Sequence, residues 1–511
     1  MDDMFPVVDR EDDRLLGGDI PLKGIQQIQS NTIDQMTRNG KEKNTPLDCS
    51  QCSPTTPLRD KQDTTGQPNI FEADKQYPSS RYYEPYEHRK VAHPLSYSST
   101  LFLMIKGALG TGILTMPHAF KNAGYLFGFV GTLLIGAFTT ACIQILVRSQ
   151  YELCRRKKIP YLTYSQILGT ALSEGPMRLR WLAPYGECLS FTALVLDEIG
   201  ALCIYLLFIA SNLREVFIQF TSIADLWFYM LCLFPPILLI SWLPHLKYIV
   251  PLSSGATGIM IASLGICLRD IFTDFPSLAN RHPVGRVTDW PLFVGTTLFS
   301  LSSIGVTMPL ENEMQDPRQL TAGLGVLNVA SAFTTIVFAS FGLVGYLKYG
   351  NKTVGSITLN LPSHDMIANG INLLLCVSIL VTFALPHFIV HDVVWTQLLR
   401  PRINTNSSRT FVLVWEYISR TSIVLLTFAL SFLVPNLELF VSLTGALCLS
   451  LLSMWIPAIV NLLTFWHTHT GFHRVWFIGR NIAIILVACF VTVTGVYVSL
   501  ENIARVVFKI S

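Results

Sequence analysis

Charged residues are scarce in this chain: only 14% of its 511 residues are Asp, Glu, Lys or Arg, while 50% are hydrophobic. The mean hydropathy is +0.44. The apolar residues also gather in blocks that are too long for the helices and strands of a water-soluble core. This composition excludes an ordinary soluble domain and indicates that a lipid bilayer surrounds most of the chain.

Signs of other chemistries are also lacking. The sequence contains no nucleophile–base pair, metal-ligand set or phosphate-binding loop at a usable spacing, so we expect neither an enzyme nor a metal or cofactor site. The formal net charge of +3 is too small to indicate nucleic acid as a partner. Residues 1–19 are acidic and lack an apolar core, so they do not resemble a cleavable signal peptide.

The first 95 residues differ from the rest of the chain. They are rich in Asp, Gln, Thr, Pro, Lys and Ser without a sustained apolar period, which predicts a disordered tail over 1–95. Within it, Glu11, Leu15 and Leu16 have the form of an acidic dileucine sorting motif. Clathrin adaptors read such motifs on membrane proteins that are sent to endosomes and lysosomes. The alternative is that these residues only belong to an acidic, solvated tail.

From residue 96 onward, apolar stretches of about 18 to 28 residues alternate with short polar connections. At about 1.5 Å per residue, each stretch forms a helix long enough to cross a hydrocarbon core about 30 Å thick. The pattern predicts an all-α polytopic membrane protein with a transmembrane domain over 96–505. The eleven expected spans lie near 97–117, 125–148, 185–210, 224–243, 250–269, 290–310, 320–348, 365–396, 411–433, 439–466 and 479–500.

The distribution of positive charge predicts an orientation for these spans. If the tail is cytoplasmic, the inner loops hold twelve Lys or Arg residues and the outer loops hold five. Because cytoplasmic loops carry the excess of Lys and Arg in membrane proteins, we expect a cytoplasmic N-terminus and a short non-cytoplasmic C-terminus, 506–511. The sequon at Asn351 then faces away from the cytosol and is a candidate for glycosylation.

The first span is interrupted near its centre. Residues 107–112 contain three glycines, including Gly110 and Gly112 on either side of Thr111. Glycines weaken a helix, and non-helical backbone persists in a membrane only where it lines a cavity or is buried in protein. A broken helix presents free N–H groups and a positive dipole end, which suit the carboxylate of an amino acid. The alternative is that these small residues only let two helices approach closely.

A second interruption lies in the sixth span, where residues 300–309 combine three serines with one glycine and one proline. Interrupted helices at corresponding positions of two halves are the best sequence indication of a transporter site within an inverted repeat. We therefore expect a substrate between the two breaks, bound by hydroxyl groups and free backbone groups. The expected substrate-binding residues are Gly110, Thr111, Gly112, Ser302, Ser303 and Gly305.

Several segments fit a known pattern. Lys106-Gly107 is followed by Gly110-Thr111-Gly112, residues 309–314 read Pro-Leu-Glu-Asn-Glu-Met, and residues 355–362 read Gly-Ser-Ile-Thr-Leu-Asn-Leu-Pro. In order and spacing, the chain from residue 96 resembles the proton-coupled amino acid transporters of the amino acid/auxin permease group. The resemblance implies a LeuT-like fold with two inverted repeats of five helices plus an eleventh helix. It also implies small neutral amino acids such as glycine, alanine and proline as substrates.

The sequence departs from this pattern where proton coupling would be expected. The resembling proteins commonly carry a histidine three residues before the Lys-Gly pair of span one, and Phe-Glu-Gly before the Ile-Gly pair of span six. This chain has Leu103 at the first position and Leu301-Ser302-Ser303 at the second. Both usual titratable groups are absent, so the resemblance alone does not imply proton coupling.

The third span carries two adjacent acids, Asp197 and Glu198. A charge inside a membrane costs about 2.5 kcal/mol or more, so such residues are usually functional or paired. Lys106 lies at a comparable depth, about 13 Å into the first span. We expect one carboxylate to pair with Lys106 and the other to bind and release a proton. The alternative is a static ion pair plus an acid that faces a wet cavity.

These features together predict a secondary active transporter of small neutral amino acids that is linked to protons. We expect it in a lysosomal or endosomal membrane or in the plasma membrane. Its expected partners are small amino acids, protons, membrane lipid and, through the tail, clathrin adaptors. Because the usual coupling residues are absent, an amino acid sensor or an uncoupled facilitator on the same fold is the alternative.

Overall fold

The computed structural model describes residues 83–89, 91, 94–221, 225–243, 246–273, 281–361, 366–403, 408–468 and 470–508. The expected sorting residues Glu11, Leu15 and Leu16 lie outside these ranges. Within them the secondary structure is helical, apart from a single β-bridge between Leu95 and Met314. The α-helices are α1 (Tyr97–Ala108), α2 (Gly112–Ala123), α3 (Tyr125–Lys157), α4 (Tyr164–Glu174), α5 (Ala183–Thr221), α6 (Leu226–Ser241), α7 (Leu246–Thr273), α8 (Trp290–Leu301), α9 (Ile304–Glu313), α10 (Val326–Tyr349), α11 (Met366–Val394), α12 (Arg409–Leu433), α13 (Leu437–Thr444), α14 (Ile456–Thr464) and α15 (Gly471–Phe508).

Nine helical segments of the described chain are long and apolar enough to cross a membrane, and the bent pair of α1 and α2 brings the number to ten. α6 is also apolar, but its 16 residues are fewer than the roughly 20 that a straight crossing needs. Each of the eleven apolar stretches expected from the sequence overlaps one of these segments or α6. The prediction of an all-α polytopic membrane protein is therefore confirmed.

Some helices extend well beyond the apolar stretches that predicted them. α3 was expected to end near residue 148 but continues to Lys157. Its last turns contain Gln150, Leu153 and Cys154, which are buried against other parts of the protein. A hydropathy pattern detects the part of a helix that lipid surrounds, so it misses the part that other helices cover.

A short helix, α4, lies within the loop expected over 149–184. It begins with a capping box, in which the Thr163 hydroxyl accepts from a backbone N–H of the first turn and the Gln166 side chain accepts from the Thr163 N–H. α4 packs along α5, and the Tyr164 hydroxyl donates to the Leu452 carbonyl oxygen at 2.6 Å. Because α4 is too short to cross a membrane, hydropathy does not reveal it.

The last part of the expected tail lies against the helices. Pro85–His88 forms a 3-10 helix, and residues 83–89 belong to the same compact unit as α1 to α15. The Leu95 N–H donates to the Glu313 carbonyl oxygen, and the Leu95 carbonyl oxygen accepts from the Gln315 N–H, each at 2.9 Å. A disordered tail therefore stays a prediction for the residues before 83.

The chain between α13 and α14 is wound more loosely than an α-helix. Gly445–Leu449 and Leu451–Trp455 form two π-helical turns, which are rare and occur often at functional sites. Gly445 lies so close to α8 that a β-carbon there would collide with the Gly295 carbonyl oxygen. Only glycine fits this approach of two backbones.

We expect Gly445→Ala to lower the stability of the folded protein, because the added methyl group forces α8 and the first π-helical turn apart. Overpacking of this kind costs about 1 to 3 kcal/mol. The melting temperature of the purified protein in detergent measures the effect. Gly479→Ala is the matched control, since a β-carbon at Gly479 meets no atom within 4 Å. An unchanged melting temperature in Gly445→Ala would contradict the close approach.

Candidate functional site

Two of the membrane helices are interrupted near their centres. α1 ends at Ala108 and α2 begins at Gly112, with a bend of 55° between them. α8 ends at Leu301, and α9 begins at Ile304 after the extended residue Ser302. Glycine weakens the helix at the first break, and serine hydroxyls compete for backbone hydrogen bonds at the second.

The two breaks lie against each other. The Ser300 hydroxyl donates to the Gly112 carbonyl oxygen at 3.0 Å. A β-carbon at Gly112 would lie 2.7 Å from the Ser300 α-carbon, and one at Gly107 would lie 3.0 Å from a Val306 methyl group. α2 therefore packs on α8 and α1 on α9, and the expected substrate-binding residues are carried by two neighbouring segments.

The breaks also border open space. A β-carbon at Gly110 or at Gly305 would meet no atom within 4 Å. The first N–H groups of any helix lack partners within that helix and carry the positive end of its dipole, which binds carboxylates. Thr111 and Ser303 are buried where α2 and α9 begin, and Ser302 is half-buried. The arrangement is suited to a small anionic or zwitterionic ligand.

The two acids of the third span lie on α5, on the side of span ten. Gly200, one helical turn after Asp197, packs against Thr444 of α13, where its β-carbon would lie 2.6 Å from a methyl group. Asp197 is also within electrostatic range of Cys448 in the first π-helical turn. Residues three apart on a helix share a face, so the Asp197 side of α5 is turned toward α13.

This orientation bears on the expected ion pair with Lys106. The face of α5 that carries Asp197 packs against α13, and Lys106 is half-buried on α1. A pair between Lys106 and one of the two carboxylates stays a prediction. Glu198 lies within electrostatic range of Tyr205 on its own helix.

A groove of about 400 Å³ lies elsewhere, between α3 and α10. The Gln144 side chain donates to the Asn328 side chain there, and no residue of either break lines the groove. We therefore do not assign the substrate site to it. The described residues contain no group of three or more His, Cys, Asp or Glu side chains that could hold a metal ion.

The end of the bundle at which α1 begins and α9 ends, here called the tail side, contacts residues 83–89 and Leu95. Arg89 donates to both carboxylate oxygens of Glu311, at 3.0 and 3.2 Å, and to the Glu311 carbonyl oxygen at 3.0 Å. The two side chains are only 5% and 2% exposed. Charges so far removed from water need both a partner and further hydrogen bonds.

Neighbouring groups supply those hydrogen bonds. Gln150 donates to the Glu311 carboxylate at 3.4 Å, and Arg89 donates to the Pro160 carbonyl oxygen at 2.8 Å. The Tyr86 ring lies 4.7 Å from the Arg89 guanidinium. Burial and the Glu311 carboxylate raise the pKa of Tyr86, so the hydroxyl keeps its proton. The network ties the N-terminal segment to α3 and α9.

The opposite end, at which α2 ends and α13 begins, is here called the far side. His118 Nε2 of α2 lies 2.9 Å from Glu438 Oε2 of α13. The Lys121 ammonium donates to the Thr353 carbonyl oxygen at 2.9 Å. Asn351, the expected glycosylation site, is exposed at this end. An ion pair therefore lies at each side of the bundle, with Glu311 of α9 on the tail side and His118 of α2 on the far side.

The family model described as "Transmembrane amino acid transporter protein" matches residues 93–501. The chain belongs to this family. The transporter is 31% identical over 424 residues to "Proton-coupled amino acid transporter-like protein pathetic" of Drosophila melanogaster, with 83% of this chain and 88% of the relative covered. It is 26% identical over 410 residues to "Amino acid transporter AVT3A" of Arabidopsis thaliana, with 79% of this chain and 88% of the relative covered.

A solved structure of Mhp1 in its inward-facing conformation has a similar fold. The TM-score is 0.51 at 15% identity, with 85% of this transporter and 94% of the Mhp1 chain covered. At this identity the likeness shows the fold alone. Family and fold are those of membrane transporters and not of enzymes. The resemblance to proton-coupled amino acid transporters is confirmed.

Sequence reasoning missed both of these ion pairs. Arg89 lies in a polar stretch, where nothing distinguishes one arginine from the others. Its partner, Glu311, belongs to the motif at residues 309–314. That motif indicates the family but does not indicate which residue Glu311 contacts. His118 is one of eleven histidines. Its position one residue after Pro117, at the end of the interrupted first span, was the one available signal.

Glu311→Gln should destabilise the transporter strongly, because it leaves the Arg89 guanidinium buried without a carboxylate. Breaking a buried ion pair in this way costs about 3 to 5 kcal/mol. Adding Arg89→Met to Glu311→Gln should recover part of the loss, since no uncompensated charge is then buried. Thermal unfolding in detergent measures both variants.

Arg505→Gln is the control for these variants, because it breaks an exposed ion pair with Glu501 and should change the melting temperature little. Equal changes of melting temperature in Glu311→Gln and Arg505→Gln would contradict the prediction that a buried charge without its partner destabilises the protein.

Proposed function

We propose that this protein is a secondary active transporter of small neutral amino acids of the glycine, alanine and proline type. The observation that supports the proposal most is the pair of facing breaks. Ser300 binds Gly112 directly, while the space beside Gly110 and Gly305 is open. An amino acid carries a carboxylate and an ammonium group close together, and two interrupted helices offer positive and negative dipole ends at one place.

The substrate carboxylate would be bound by the first N–H groups of α2 or α9 and by the hydroxyls of Thr111, Ser302 and Ser303. Its ammonium group would be bound by the free carbonyl groups at the ends of α1 and α8. The direct contact between Gly112 and Ser300 leaves little room between α2 and α8, which favours a small side chain. One methyl group changes binding by only about 1 to 3 kcal/mol, so several small amino acids can share such a site.

The proposed architecture has eleven spans, arranged as a LeuT-like pair of inverted five-helix repeats plus one helix. It counts α6 as a crossing and treats α1–α2, α8–α9 and the stretch from α13 to α14 as one span each. The two breaks then fall in the first and sixth spans, which are corresponding positions in the two halves. The proposed transmembrane domain covers 96–505 and is followed by the short C-terminus 506–511.

We place the tail side in the cytosol, because the inner loops of this arrangement hold twelve Lys or Arg residues and the outer loops five. The far side then faces a lumen or the cell exterior, where Asn351 is available for glycosylation. The dileucine pattern at Glu11, Leu15 and Leu16 supports recognition by clathrin adaptors and a lysosomal or endosomal membrane. The plasma membrane is the alternative.

Proton linkage is proposed without the family's usual groups, since Leu103 and Ser302 stand where titratable residues are expected. Asp197 and Glu198 supply carboxylates within the third span, and Lys106 lies one turn before the first break. These three residues are the proposed coupling groups. A sensor that binds amino acids and moves little is a second candidate, because the usual coupling groups are absent, and an uncoupled facilitator is a third.

Gly305→Leu is expected to abolish the uptake of labelled glycine, alanine and proline into vesicles that contain the reconstituted protein. The new side chain would fill the open space beside the second break. Thr111→Leu should act in the same way at the first break. Gly479→Leu is the matched control, because its β-carbon also meets no atom within 4 Å, and it should leave uptake unchanged. Normal uptake by both site variants would refute the proposed site.

The same vesicles distinguish the three candidate functions. A proton-linked transporter concentrates the amino acid when an inward proton gradient is applied. A facilitator only equalises the two sides. A sensor binds labelled amino acid to the purified protein without accumulation in vesicles, and that outcome would reject the transporter.

Asp197→Asn and Glu198→Gln test the proposed coupling groups, because an amide cannot take up or release the proton of a carboxylate. We expect at least one of them to lose the stimulation of uptake by a proton gradient while keeping uptake without a gradient. Glu501→Gln, at a partly exposed position on α15, is the control. An unchanged pH dependence in both variants would exclude these acids as the proton site.

A further inference from the structure

The far side holds a buried histidine whose partner is a carboxylate on another helix. His118 Nε2 lies 2.9 Å from Glu438 Oε2, and the two side chains are 9% and 26% exposed. His118 belongs to α2, which runs from the first break to the far side. Glu438 belongs to the first turn of α13. The ion pair therefore links the second half of the interrupted first span to the start of span ten.

The Glu438 side chain also packs on the segment that follows α10. A β-carbon at Gly355 would lie 2.5 Å from Glu438 Cγ and 3.2 Å from Glu438 Oε1. Thr358 of this segment donates to the side-chain oxygen of Asn212 on α5 at 2.7 Å. One carboxylate thus joins α2, α13 and a covering segment that is itself fastened to α5.

The ionisable groups around this pair come from several elements. Lys121 of α2 acts on Glu438 electrostatically, and its ammonium is bound by the Thr353 carbonyl oxygen. α8 carries no ionisable side chain. The other packed elements carry these ionisable residues toward the far side: Tyr125 of α3, Arg214 and Glu215 of α5, Arg281, His282, Arg286 and Asp289 before α8, Tyr346, Lys348 and Tyr349 of α10, Lys352 after it, and Glu501 and Arg505 of α15. Among these residue types only histidine has an ordinary pKa between about 5 and 8, and His118 is the histidine that contacts Glu438.

We propose that His118 is a proton-responsive residue that closes the far side of the transport route. With a proton on its ring, His118 forms a charge-assisted ion pair with Glu438, which holds α2, α13 and the segment after α10 together. Without that proton, the imidazole is neutral and the attraction is weaker, so the three elements separate more readily. The inference rests on the proposed transport function and adds a direction, because acid on the far side favours closure there.

This role differs from proton transfer through the membrane. Acid on the far side would favour closure of that side after an amino acid has bound, and the amino acid would then be released on the tail side. This effect does not require the proton to cross the membrane. The chain would then respond to pH through α2 although Leu103 replaces the usual histidine of α1.

Hydrogen–deuterium exchange of the purified full-length protein in lipid nanodiscs tests the proposal without any transport. After correction for the chemical exchange rate, we expect the amides of 350–361 to exchange about fivefold more slowly at about pH 5.5 than at about pH 7.5. His118→Gln keeps a hydrogen-bond donor but takes no charge, so it should lose this difference. His473→Gln changes an exposed histidine at the start of α15 and is the matched control that should keep it.

Glu438→Gln is a second test, because it removes the charge while keeping the size of the side chain. It should lose the pH difference as well, and it decides the matter if His118→Gln does not fold. A difference that persists in either variant, or that is absent from the native protein, overturns the proposal. A native protein that shows the difference but accumulates no amino acid would overturn the transport function and leave the pH response standing.

Discussion

Backbone hydrogen bonding away from water is the constraint on which the rest of this structure depends. A helix that stops inside a membrane leaves N–H and carbonyl groups that lipid cannot bind. At the first break, the Leu109 N–H donates to the Ile105 carbonyl oxygen at 3.0 Å and the Gly110 N–H donates to the Ala108 carbonyl oxygen at 2.9 Å, so two carbonyl groups at the end of α1 are bound. Each interrupted span needs protein around it, and the two lie together, because the Ser300 hydroxyl of α8 donates to the Gly112 carbonyl oxygen of α2.

Ion pairs lie at the ends of the interrupted spans. Arg89 and Glu311 form a buried pair on the tail side, and His118 and Glu438 form a partly buried pair on the far side. Removal of charge from water is costly, and attraction offsets this cost only at close range with added hydrogen bonds. Such a pair therefore stabilises one arrangement of helices and loses its effect when a partner moves or changes charge. A transporter must open its two ends in turn, and contacts of this kind suit elements that have to close firmly and still separate.

The departures from the family's usual residues have a structural counterpart. Leu103 and Ser302 stand near the two breaks, where the resembling proteins carry titratable groups. Other ionisable groups occur on the same helices and on α5: Lys106 on α1, His118 on α2, and Asp197, which is turned toward the π-helical part of span ten. Substrate binding and the response to protons would then be carried by different residues.

The sequence by itself determined the fold class, the approximate spans and both breaks, because these depend on local properties: the length of apolar runs and the positions of glycine, serine and proline. The order and spacing of its short motifs also indicated the family. Only the tertiary structure decided which face of α5 carries Asp197 toward α13 and which partner each buried charge takes. Arg89 and Glu311 are 222 residues apart in the chain. Such pairs form only after helices pack, and residue type alone does not specify a partner, because any buried carboxylate could satisfy a guanidinium that the fold brings within reach.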